Sequence, residues 1–159
     1  MSQICRRSFR RRRLRPGDAA RFAVRNPVDA ITALSVVLPD DIPAPYDLLL
    51  LIGPDGFASK LLAPNELRGN DMTLGAALDA TIAVVIDAVD DWNIGAVVGA
   101  IIRDESTTHL SHDESQRWFD AAARLDRAGV PVFDVLVLSP DDWASLSWHE
   151  HDMPTYGFW

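Results

Sequence analysis

Two apolar runs with one amphipathic helix pattern between them constrain this chain more than any other feature. Residues 94–102 (IGAVVGAII) and 130–138 (VPVFDVLVL) are continuous enough in aliphatic residues for strands covered on both faces. Between them, Ser111-His112-Asp113-Glu114 reads as a capping box, with Ser111 capping the helix and Glu114 reaching back to the cap backbone. Trp118, Ala122 and Leu125, flanked by Phe119 and Ala121, form the expected buried side, and Gly129 ends the helix. A strand, a crossover helix and a second strand predict a parallel pair. Ser139-Pro140-Asp141-Asp142 then turns the chain into residues 143–148, which alternate Trp143, Ser145 and Ser147 against Ala144, Leu146 and Trp148.

The upstream sequence supplies the elements this unit packs against. Asn26-Pro27 is a helix start, because Asn can cap free amides and Pro costs nothing at the first helical position. Val28, Ile31, Leu34 and Val37 or Leu38 give that helix one apolar stripe. Residues 47–52 form a run suited to a strand covered on both faces; Pro54-Asp55-Gly56 is turn chemistry, and residues 57–63 return as a hairpin partner. Thr73 caps a helix whose ladder is Leu74, Leu78, Ile82, Val85 and Val89. Asp87, Asp90 and Asp91 fall toward its C-terminal end, where the helix dipole disfavours anions. The predicted fold class is α/β, with a mixed β-sheet of about five strands flanked by helices.

Charge divides the chain in two. Residues 1–25 hold nine of the fifteen basic residues and only Asp18 against them, whereas the other 134 residues carry six basic and twenty-two acidic groups, a net −16. The sequence therefore predicts a basic, disordered arm over residues 1–25 and a single α/β domain over residues 26–159. An acidic body repels nucleic-acid phosphates and membrane headgroups, so nucleic-acid contact falls to the arm alone, with Arg10, Arg11, Arg12 and Arg13 as its candidates. No apolar run reaches the length of about eighteen residues needed to span a membrane. Arg6-Arg7-Ser8-Phe9 resembles the start of a twin-arginine export signal, but Pro16-Gly17-Asp18 stands where an apolar core should follow. One cysteine, Cys5, cannot form an internal disulfide, and a cytoplasmic location is expected.

Gly129-Val130-Pro131-Val132-Phe133-Asp134, followed by a strand containing Ser145-Leu146, resembles the RadC branch of the JAB/MPN fold, in which a Gly-Ile-Pro-Leu-Leu-Asp-His strand leads to a Ser-containing strand. Val135 stands where that pattern has His. The resemblance covers about residues 46–150 and extends to the order of the predicted elements. It implies the fold of zinc hydrolases in which a strand ends in His-x-His-Pro-Ser-Gly and a downstream Asp completes a three-ligand site with an open water position. Family spacing counted from Asp134 puts those ligands at Ile101, Arg103 and Glu114, and no Pro-Ser-Gly follows. The resemblance thus implies a domain without the family's zinc site, which acts as a non-catalytic protein-interaction or regulatory module and needs no cofactor.

Other residues offer alternatives. His109 and His112, with Asp113 or a neighbouring acid, compose a local metal site in the loop beyond a strand end, where open α/β sheets bind ligands; a metal-dependent hydrolase rebuilt there is the enzymatic alternative. Against it stands a solvated loop in which Ser111 and Glu114 simply cap a helix. His149 and His151 follow the last strand, at the opposite end of the sheet. Ser139, Ser145 and Ser147 have no His at a nucleophile spacing, and Gly95 and Gly99 suit packing rather than phosphate binding. Trp143, Trp148, Tyr156, Phe158 and Trp159 concentrate aromatics near the C-terminal end, either as cover for a sheet edge or as a contact surface for a protein partner.

Overall fold

Seven consecutive buried residues put one strand, Tyr46–Ile52, at the middle of the molecule. In chain order the elements are α1 (Pro27–Val37), β1 (Tyr46–Ile52), β2 (Ala58–Leu62), α2 (Leu74–Asp87), β3 (Ala96–Ile102), α3 (His112–Arg127), β4 (Val132–Leu138) and β5 (Trp143–Ser145). The computed structural model describes residues 22–37, 45–64, 73–148 and 151–157. The expectations for Arg10, Arg11, Arg12, Arg13, Phe158 and Trp159 lie outside these residues.

The sheet is five-stranded and mixed, in the order β2-β1-β3-β4-β5. β1 runs antiparallel to both β2 and β3, β3 and β4 are parallel across the α3 crossover, and β5 returns antiparallel on β4. Side-chain alternation in β1 sends Leu48, Leu50 and Ile52 into a core with Ile31 and Leu34 of α1. Leu49 and Leu51 enter a second core with Leu78 and Ile82 of α2 and Trp118 and Leu125 of α3. The result is three layers: α1, the sheet, then α2 with α3. Leu48, Leu49, Leu50 and Leu51 are all fully buried, each contributing about 2 kcal/mol of apolar transfer.

Local chemistry sets the boundaries. Asn26 Oδ1 accepts the Asp29 amide, Thr73 Oγ1 accepts the Ala76 amide, and Ser111 with Glu114 forms the complete capping box. Gly129 follows the α3 cap at φ 80°, a conformation costly for any residue with a Cβ. α2 ends at Asp87 with Ala88 as its cap, so of the three acids only Asp87 lies in the helix, while Asp90 and Asp91 lie in turns beyond it.

Four expectations need correction. Residues 22–25, which the sequence places in the arm, are tied to the hairpin: Val24 donates to Gly56 O, Ala58 donates to Phe22 O, and Val24 is fully buried. The buried side of α1 is turned slightly, with Ala30, Ile31, Ala33 and Leu34 inward and Val28 exposed. In α3 the buried residues are Trp118, Ala121 and Leu125, while Phe119 is 72% exposed. β5 stops at Ser145 rather than running to residue 148, because the backbone there turns to hydrogen-bond the Asp134 side chain.

Candidate functional site

The end of β3 and the first turns of α3 bring four charged side chains together. Arg103 follows β3, and its Nη2 donates to Glu114 Oε1 in an ion pair; the same oxygen accepts the Ser111 backbone amide as part of the capping box. One turn along α3, Arg117 meets Asp47 of β1, with Nη2 3.1 Å from Oδ1 and Nε 3.0 Å from Oδ2. The Asp47 side chain is 1% exposed, so its charge depends on that guanidinium. Burial pushes the Asp47 carboxyl above the ordinary carboxylate value; Arg117 pulls it back, and the nearby Glu114 adds to the upward push.

This node contains the three positions that the resemblance assigns to zinc ligands. Ile101 is 1% exposed and belongs to the core beneath α2 and α3. Arg103 and Glu114 are in contact, but as cation and anion. An aliphatic side chain and a guanidinium offer no electron pair to a metal, and the one carboxylate is occupied by an arginine and a backbone amide. The residues present do not fit a zinc ion. Chemically, the node is a self-neutralised set of two carboxylates and two guanidiniums that braces α3 against the sheet.

His109, His112 and Asp113 are all exposed, and among the described residues no three His, Cys, Asp or Glu side chains are grouped closely enough to hold a metal ion. His109 lies in the loop, while His112 opens α3. His151 is also exposed, whereas His149 lies outside the described residues.

A second polar cluster was not legible in the sequence. Asp134 of β4 is 4% exposed and accepts four hydrogen bonds. Oδ2 receives Ser145 Oγ at 2.5 Å and Tyr156 OH at 2.6 Å, and Oδ1 receives the amides of Val135 and Ser147 at 2.8 and 3.0 Å. Every lone pair of this buried carboxylate is engaged, which is the arrangement of a structural anchor rather than of a catalytic base. Burial and the Asp134 charge both push the Tyr156 hydroxyl above its ordinary value, so it stays a hydrogen-bond donor.

The described aromatic candidates are largely buried. Trp143 and Tyr156 are 3% and 4% exposed and belong to the α1-side core, with Tyr156 stacked on Phe133 at 5.3 Å between ring centroids. Trp148 is half-buried against Trp143. An open apolar surface lies elsewhere among the described residues: a groove of about 340 Å³ between α3 and β4, walled by Leu110, Trp118, Phe119, Val132 and Leu146. No helix among the described residues is long and apolar enough to cross a membrane. Comparison with known protein-family models and with curated proteins finds no match.

Proposed function

We propose that this chain is a RadC-like JAB-fold domain without the family's zinc site, serving as a non-catalytic protein-interaction or regulatory module. The observation that carries this reading is the ion pair between Arg103 and Glu114. Two positions that the family pattern assigns to metal ligands are neighbours in space here, and a guanidinium supplies the positive charge that balances the carboxylate. A guanidinium there does not acidify a bound water as a zinc ion would, so the reading assigns the role to surfaces rather than to metal-dependent hydrolysis. The groove beside α3 is an open apolar surface, and an exposed aromatic at its rim is the kind of feature that protein contacts use.

The test is metal analysis of the purified full chain, together with an assay of isopeptide and simple amide hydrolysis. The reading expects zinc well below one equivalent and no hydrolysis above the uncatalysed rate. Stoichiometric zinc with amide hydrolysis overturns it.

A further inference from the structure

We propose that the outward face of α3 is the contact between two copies of this chain, which pair antiparallel about a twofold axis beside Phe119. Residues three and four apart share one side of a helix, and the side of α3 next to the groove reads His112, Ser115, Phe119, Ala123 and Asp126, with the exposed Gln116 and Asp120 beside it. His112, Ser115, Phe119 and Asp126 are exposed, Phe119 to 72%, and Ala123 is half-buried.

These positions are symmetric about Phe119. His112 and Asp126 lie two turns to either side, and Ser115 and Ala123 about one turn to either side. Laid antiparallel with Phe119 at the centre, His112 of each copy comes opposite Asp126 of the other, so an imidazole N–H meets a carboxylate twice. Ser115 comes opposite Ala123, and both are small enough to let the helices close. The two Phe119 rings meet in the middle, each beside the other copy's apolar groove. A face that complements itself under a twofold is what an isologous dimer requires.

Charge on this face is confined to its two ends. Residues 26–159 carry a net −16, which opposes contact between copies. Arg117 and Arg124 of α3 are engaged by Asp47 and Asp79, so the face presents Asp126 as its charged group and the His112 imidazole as the donor that meets it across the twofold. The complete capping box and the Asp47–Arg117 pair hold α3 in place before association, so little ordering remains to oppose pairing. Pairing through α3 requires nothing of the zinc positions, so metal content and association state answer separate questions.

The test is sedimentation velocity on the full chain between about 1 and about 200 µM, the span over which a modest interface of this kind is populated. The expected result is a monomer–dimer equilibrium. Phe119→Asp, which changes a side chain already in solvent, should keep the thermal transition and weaken pairing by about 30-fold or more. His112→Asp sets like carboxylates opposite each other twice and should weaken it about tenfold, whereas His112→Asp combined with Asp126→His should restore pairing to within about threefold. Val84→Asp, on an exposed position of α2, should leave it unchanged. A chain that stays monomeric throughout overturns the proposal, as it leaves the groove to a different occupant. So does a dimer indifferent to Phe119→Asp, or a charge swap that fails to restore pairing.

Discussion

Tyr156 donates its hydroxyl hydrogen to the Asp134 carboxylate at 2.6 Å, reaching back 22 positions along the chain. The same residue donates its amide to Arg25 O at 2.7 Å, so one tyrosine fastens the segment after β5 both to β4 and to the lead-in of α1. Tyr156→Phe should cost about 2 kcal/mol at neutral pH, since it leaves one bond of a buried charged acceptor unmade. The cost should shrink in alkali. The folded hydroxyl titrates above its ordinary value of 10.0, so as pH rises past that value the unfolded chain loses the proton first and wild type loses stability. The Phe variant has no such group. Urea unfolding of both proteins at pH 7 and pH 10.5 checks this, and an equal deficit at the two values counts against the assignment.

The Asp47–Arg117 pair predicts a deficit with the opposite pH trend. Arg117→Met leaves the buried Asp47 carboxylate without its guanidinium and should cost about 3 kcal/mol at pH 7. The Asp47 carboxyl already titrates above its ordinary value of 3.8 in the folded protein, and without Arg117 it rises further. Below that range it is protonated and neutral, so the penalty for losing the arginine should fall as pH drops toward 4. Denaturant melts at pH 7 and pH 4, each compared with wild type, measure the difference.

Gly99 faces the Trp118 indole so closely that a Cβ there would lie less than 3.0 Å from three of its ring carbons. Gly99→Ala should therefore cost about 3 kcal/mol, because the buried ring must be pushed off the sheet to make room for the methyl group. Combining it with Trp118→Leu should give a double variant less destabilised than the sum of the two single changes. Additive costs in thermal or urea unfolding would show that the two positions do not share space.

How far the fold could be read from residues follows from the range over which each signal acts. The caps at Asn26, Thr73 and Ser111 are settled within four positions, and the doubly buried β1 declares itself by its unbroken apolar run. The rotation of α3 is a different matter. Trp118 drops into the space that Gly99 leaves, and this turns Ala121 and Leu125 inward. Phe119, one position and about 100° further round, is carried out to solvent. Helical periodicity puts Trp118 and Leu125 on the buried side with Phe119 at its edge, and the glycine on the facing strand settles on which side of that edge Phe119 falls. The Asp47–Arg117 pair joins positions 70 apart, and its sole sequence sign is an acid at the head of an apolar strand. Tyr156 and Trp143 read as surface aromatics because nothing local announces the buried carboxylate and core that receive them.

The place of Arg103 and Glu114 makes the proposed RadC-like reading testable without any assay of turnover. Ile101→His with Arg103→His, keeping Glu114, restores the residue types that the RadC pattern has at those positions. The double variant should lose thermal stability as the apo protein, since Ile101 is buried and the Glu114 ion pair is gone. It should regain stability with about one equivalent of zinc. Wild type should show no zinc-dependent shift. A variant that is destabilised yet indifferent to zinc would place those residues out of register with the family's site.

The buried Asp134 anchor also bears on the order in which contacts can close. β4 carries a carboxylate whose hydroxyl donors, Ser145 and Tyr156, lie 11 and 22 positions later. With those two residues out of place, the strand can align beside β3 but its acid cannot be buried without loss. The final packing of β4 thus depends on the segment that follows β5.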